Sequence, residues 1–228
     1  MSLTRRFFRR FSARTVKRAA LYPSVEFPAL EPRHLAGAKL FANREALIAS
    51  LPLAPGATIA EIGVAHGEFS EFLLTQLAPK TLVAFDFFNM HEAGTLWGKD
   101  TRQLLQGLKH LEFYQHRFRS RGDQVVTEPG VSYLTLAKYP DRTFDMIYVD
   151  AGHNYASVKR DAELALGKVK ADGFLVFNDY IMFDHFVGEP YGVVQVVNQI
   201  LVERDLTVYG LALERHMFCD IAFRLQQR

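Results

Sequence analysis

A single cysteine, Cys219, stands in the 228 residues, so no disulfide forms within the chain and nothing points to an oxidising compartment. Alone and close to the C-terminus, it reads as a small apolar side chain rather than a nucleophile. No apolar run approaches the roughly 20 residues that a membrane-crossing helix needs. Internal repeats and low-complexity tracts are absent. The first 25 residues contain no acid, and they lack the apolar core and small-residue cleavage site of a secretory signal. These absences lead to the expectation of a cytoplasmic, soluble protein. With 49% apolar and 23% charged residues, the composition agrees. The length suits one α/β domain and is short for two independent cores.

The net charge of +2 conceals an uneven distribution. Arg5, Arg6, Arg9, Arg10, Arg14, Lys17 and Arg18 crowd the first 25 residues, which leaves 20 basic against 25 acidic residues in the remainder. A face that binds a polyanion needs a basic body, and this one is mildly acidic, which argues against a nucleic-acid substrate. Phe7, Phe8 and Phe11 lie among the arginines. That mixture suits a membrane-surface helix, a transit peptide, an RNA-binding arm or a plain solvated tail. Pro23, Pro28 and Pro32 then mark an extended linker. Residues 1–33 are read as leader and linker, and residues 34–228 as the functional domain.

Within that domain, helical spacing over Leu35–Leu51 ends at Pro52. Short β-rich runs then alternate with amphipathic stretches. Strands are expected at Thr58–Ile62, Leu82–Phe87, Gln124–Thr127, Phe144–Val149 and Phe174–Phe177. Helices are expected at Phe69–Leu77, Thr101–Arg119, Ser132–Lys138, Ala156–Lys170 and Tyr191–Arg204. Two final strand-like runs, Thr207–Leu213 and Cys219–Leu225, follow one another without a helix. The pattern predicts a seven-stranded, mostly parallel sheet covered by helices on both faces, closed by an antiparallel hairpin at one edge.

Glu61-Ile-Gly63-Val-Ala-His66-Gly67 lies between the first of those strands and its helix. Glycines there permit a tight turn and close backbone approach to a ligand, and the following helix offers free N–H groups. Asp86 ends the next strand, where an acid can accept hydrogen bonds from both ribose hydroxyls of a nucleoside. Asp150 and Asp179 end two neighbouring strands at the ligand-binding edge of such a sheet. Two carboxylates converging there repel unless a proton or a cation such as Mg²⁺ joins them; otherwise they serve as loop hydrogen-bond acceptors. His153, three residues after Asp150, has the ordinary basicity to accept a hydroxyl proton at neutral pH, or else bridges two loops. His66, His91 and His185 read as lining or surface residues. The long aromatic segments 87–100 and 180–192 suit an acceptor pocket or its lid.

Glu61-x-Gly63-x-x-x-Gly67 with Asp86 resembles the first motifs of class I S-adenosylmethionine-dependent methyltransferases. Asp150-Ala-Gly-His153-Asn-Tyr155 and Asn178-Asp179-Tyr180 are similar to the branch of small-molecule and antibiotic-sugar O-methyltransferases. The resemblance spans about residues 40–225. It implies a Rossmann-like methyltransferase fold and S-adenosylmethionine as cofactor, held by Glu61, Gly63, Gly67, Asp86, Gly130 and Ser132. It further implies His153 and Asp150 as catalytic residues, Asp150 and Asp179 as the metal-binding positions of Mg²⁺-using relatives, and a small hydroxylated acceptor as partner. The third metal ligand of those relatives falls on Tyr180, a departure. Two other readings stay open: a nucleic-acid-binding protein that uses its arginine-rich leader, or an enzyme of this fold with different chemistry. Peripheral membrane contact through the leader and a homo-oligomeric state also stay open.

Overall fold

The computed structural model describes residues 28–225; the basic leader lies outside them. Eight strands form one sheet: β1 (Lys39–Phe41), β2 (Thr58–Ile62), β3 (Thr81–Asp86), β4 (Val125–Pro129), β5 (Phe144–Val149), β6 (Val169–Phe177), β7 (Val208–Leu213) and β8 (Cys219–Arg224). Their order across the sheet is β1-β7-β8-β6-β5-β2-β3-β4. Pairing is parallel except for β8, which runs antiparallel to both β7 and β6. This is the Rossmann-like methyltransferase architecture, with one strand more than the pattern predicts.

Helices cover both faces. On one side lie α1 (Arg44–Ala49), α2 (Glu68–Leu77) and, after the single turn α3 (Thr101–Leu104), α4 (His110–Arg117). Leu47, Leu73 and Tyr114 of this layer pack against Ile59, Leu82, Met146 and Val176. On the other side lie α5 (Ser132–Leu136), α6 (Tyr155–Lys168) and α7 (Val193–Glu203), whose Leu136, Ala162 and Val197 meet Ile62, Phe85, Ile147 and Phe177. Neighbouring strand residues thus serve opposite cores, the period of two that a doubly covered strand requires. No helix among the described residues is long and apolar enough to cross a membrane.

Three elements depart from the sequence reading. Leu35–Leu51 is not one helix. Gly37, at φ 78°, turns the chain after a short 3₁₀ segment; Lys39–Phe41 then pairs with Gly210–Ala212, and only Arg44–Ala49 is helical. Helical spacing cannot register a strand partner 170 residues away. Thr101–Arg119 is split where Gln106 and Gly107 take positive φ. Asp172-Gly173, read as a helix stop, lies inside β6, where the missing side chain lets the backbone run close to the Asp145 carbonyl. The two long aromatic segments each contain a two-residue hairpin, Thr95–Leu96 with Lys99–Asp100 and Phe183–Asp184 with Glu189–Pro190.

Candidate active site

The chain runs from β2 through β3 to β4 on one side of the sheet, then crosses back to place β5 on the other side of β2. The order therefore reverses between β2 and β5, and ligands of open α/β sheets bind in the crevice beyond the strand ends at such a point. At that point Gly63 follows β2 with φ 87°, and a Cβ built on it would lie 2.0 Å from the Asp150 carbonyl oxygen. Only glycine permits this approach. Gly67, also left-handed at φ 80°, opens α2.

Asp86 ends β3 and binds the turn itself. Its Oδ2 accepts from the Val64 and Ala65 N–H groups at 2.9 and 3.3 Å, and its Oδ1 accepts from Phe88 N–H at 2.7 Å. Three of about four acceptor positions are thereby used, which leaves one for a further donor. The buried His110 donates from Nε2 to the Ala65 carbonyl at 2.6 Å and stands 3.9 Å from Asp86. Burial lowers its pKa, so the neutral ring is the form that holds the turn. Sequence reasoning had no means to find His110, because it belongs to a helix 45 residues beyond its partner.

The remaining cofactor positions divide. Gly130 N–H donates to the Asp86 carbonyl, so Gly130 stands beside Asp86. Ser132 does not bring its hydroxyl there; it donates to the buried Asp161 at 2.5 Å, and only its backbone at the start of α5 remains available. Glu61 is fully buried, accepts from the Ser70 hydroxyl at 2.6 Å, and Ser70 accepts from Tyr114. Burial pushes its carboxyl up to about 8, so it reaches a ligand only through its surroundings or after ionising.

Asp150 follows β5 and Asp179 follows β6, and the structure does bring them together, with His153 between them. The His153 Nε2 lies 3.2 Å from Asp179 and 3.6 Å from Asp150. Its ring stacks on Tyr191 at 4.4 Å, 8° from parallel, and its carbonyl accepts from Gly192 N–H at 2.7 Å. Tyr191 in turn donates to Asp184 at 2.9 Å, so the 180–192 segment orients the ring. Asp179 itself sits at φ 52°, an unfavourable conformation for a residue with a side chain. Burial opposes a charged imidazole, but the two carboxylates outweigh it and raise the His153 pKa. Burial, reinforced by Asp150, pushes Asp179 up to about 6. Among the described residues, Asp150, His153 and Asp179 form a group whose donor atoms all lie within 4.8 Å of one another. One imidazole and two carboxylates suit a divalent ion that accepts mixed nitrogen and oxygen ligands better than Mg²⁺, which favours oxygen.

Behind this group lies a polar network that the motifs do not mark. Tyr148 donates to the wholly buried Asp220 at 2.6 Å, and Asn178 donates to both at 3.1 Å. Burial pushes Asp220 up to about 8. Its signal in the sequence was an acid inside the apolar run Cys219–Leu225, where a lone charge demands a partner. Arg44, at the start of α1, lays its guanidinium over the Phe69 ring at 4.3 Å and reaches Tyr148 at 3.4 Å and Asp150 at 3.9 Å. Burial works against its charge, but Tyr148, Asp220 and Asp150 outweigh burial and raise its pKa.

The glycine turn, the adjacent strand-end acid and the switch point form a site for a nucleoside cofactor. Residues 60–180 match the methyltransferase domain family, more than half of the chain. The chain belongs to the class I S-adenosylmethionine-dependent methyltransferases. No curated protein matches it. Solved structures share the fold at low identity. A ribosomal protein L11 methylase from Lactobacillus delbrueckii subsp. bulgaricus has a TM-score of 0.54 at 13% identity, over 80% of this chain and 77% of that one. An rRNA methylase from Streptococcus thermophilus has 0.54 at 12%, over 81% and 95%. A SAM-dependent methyltransferase from Aquifex aeolicus has 0.52 at 14%, over 77% and 85%. Family membership implies S-adenosylmethionine, and this methyltransferase fits it on its own geometry: the left-handed turn at Gly63 stands at the switch point, and Asp86 keeps one acceptor position beside it.

Proposed function

We propose that this methyltransferase acts on a hydroxyl group of a small molecule, such as a sugar, polyketide or phenolic compound, with His153 accepting the proton. The observation that carries the reading is the His153 Nε2, held 3.2 Å from Asp179 and 3.6 Å from Asp150 at the switch point. When bound, S-adenosylmethionine supplies a methyl group on a positively charged sulfur that leaves as a neutral thioether. An acceptor oxygen aligned with that methyl loses its proton to the imidazole as the new O–C bond forms. The two carboxylates raise the basicity of the ring and stabilise the imidazolium that results, while Tyr191 keeps the ring oriented. Positioning of the acceptor against the methyl group contributes the rest. The acidic balance of residues 26–228 supports a small acceptor over a polyanion.

A second reading is favoured by one specific feature: the buried His153 Nε2 lies between two carboxylates yet makes no well-aligned hydrogen bond to either. Asp150, His153 and Asp179 would then hold a divalent cation, whose chemistry is to polarise paired oxygens of the acceptor. Incubation with methyl-labelled S-adenosylmethionine, a panel of catechols, flavonoids and glycosides, and separate tRNA and rRNA arms tests the proposal. Label recovered as a methyl ether supports it; label only in RNA overturns the acceptor class. His153→Ala should lower the rate by about 10²–10⁴. Loss of transfer in excess chelator, restored by Mn²⁺ or Mg²⁺, would select the metal reading instead.

A further inference from the structure

The zwitterionic tail of an S-adenosyl cofactor carries an ammonium and a carboxylate, and a site that holds it must answer both charges. Acids are abundant at this crevice: Asp86, Asp150 and Asp179 stand at its strand ends, with Glu61 and Asp220 buried behind them. A permanent cation is scarce. Among the described residues, Arg44 is the one arginine or lysine that the interactions of Glu61, Asp150, Asp179 and Asp220 share.

Its placement is fixed from three directions. The Asn43 side chain caps α1 by accepting from Ala46 N–H, and the Arg44 N–H donates to Glu214 at 2.5 Å. The guanidinium lies over the ring of Phe69, the second residue of the helix that the glycine turn opens. Phe69 packs in turn against Tyr148, 4.4 Å between centroids, at the end of β5. The group therefore bridges the β2 and β5 sides of the crevice where the strand order reverses. Yet its donors are little used. Of five N–H positions, one makes a long hydrogen bond to Tyr148 at 3.4 Å, and Glu45 and Asp150 stand at 3.7 and 3.9 Å. About 30% of the side chain stays exposed. A guanidinium kept for structure alone would normally spend its fork on a carboxylate in bidentate contact.

We infer that Arg44 binds the carboxylate of the cofactor's amino-acid tail, an assignment that rests on S-adenosylmethionine being the donor. The planar fork, held over Phe69 on the helix that the glycine turn opens, matches a carboxylate in shape as well as charge. The ammonium then falls to the acidic side of the crevice, at Asp150. Tail recognition is thereby divided between a segment ahead of the glycine motif and the strand ends behind it. A lysine would supply the charge without the fork or the ring stacking.

Calorimetric titration of the full chain with three ligands isolates the tail. S-adenosylhomocysteine carries both charges, its decarboxylated analogue keeps the ammonium alone, and 5′-methylthioadenosine carries neither. Arg44→Gln should weaken S-adenosylhomocysteine by about 10- to 100-fold, and leave the other two ligands within about twofold. Arg44→Lys should recover part of the loss. Equal weakening of all three ligands would show that Arg44 merely supports the fold and would overturn the inference, as would unchanged S-adenosylhomocysteine affinity. The methylthioadenosine arm reports folding, so a damaged variant is recognised as such. Failure of the unaltered protein to bind S-adenosylhomocysteine would instead remove the cofactor reading, and this assignment with it.

Discussion

Gly63 has no room for even a methyl group, because the Asp150 carbonyl occupies the place where its Cβ would go. Gly63→Ala should force β2 and β5 apart at the crevice, cost about 3 kcal/mol or more, and abolish S-adenosylhomocysteine binding, read by urea unfolding and calorimetry. Glu61 gives a pH dependence of definite sign. Its carboxyl rises from 4.5 to about 8 on folding, so between those values the folded chain holds a proton that the unfolded chain has released. Stability is therefore greatest at low pH and falls as pH rises towards 8, then levels. The slope from this group is at most about 1.4 kcal/mol per pH unit, or about 3–5 °C in Tm. Thermal scans from pH 5 to 9 should show the fall, and Glu61→Gln, which keeps an acceptor for Ser70, should make it shallower while the like contribution of Asp220 remains. The glycines and strand-end acids were legible at this scale because turn geometry and strand ends are local. Arg44, His110 and Tyr191 were not, since nothing near them in the chain names their partners.

At the scale of elements, β1 and α1 depend on a glycine far away in the chain. A Cβ at Gly210 would lie 2.6 Å from the Phe41 ring and 2.9 Å from Leu47. Gly210→Val should therefore displace Lys39–Phe41 from β7 and loosen α1 while the central strands stay paired. Hydrogen exchange should show residues 39–49 losing protection before β2, β5 or β6, and Tm should fall by several degrees for a cost of about 1–3 kcal/mol. Because Arg44 sits on α1, S-adenosylhomocysteine affinity should fall in parallel. The helices α2, α6 and α7 were readable from apolar spacing, as each buries one face against the sheet. The Leu35–Leu51 stretch misled for the opposite reason: its strand is three residues long and gains its identity only from β7.

For the whole molecule, every described side chain of the site comes from residues 44–220, and the arginine-rich leader lies outside the described residues. Deleting residues 1–20 should leave S-adenosylhomocysteine affinity within about twofold, while any affinity for RNA or anionic vesicles, with its steep salt dependence, should disappear. A large loss of cofactor affinity in that truncation would place the leader at the site. The alternation of strands and helices, the closing hairpin and the order of Gly63, Gly67, Asp86, Asp150, His153 and Asp179 along the strand ends were determined by the sequence itself. Each depends on side-chain period, on glycine's freedom at positive φ, or on the rule that parallel strands deliver their ends to one edge. Only the tertiary structure decided that β1 extends the sheet, that Ser132 turns to Asp161, and that His153 stands between two carboxylates with Arg44 across the crevice. Those facts rest on which distant residues share a few ångströms of space, and chain order does not encode that until the sheet has assembled.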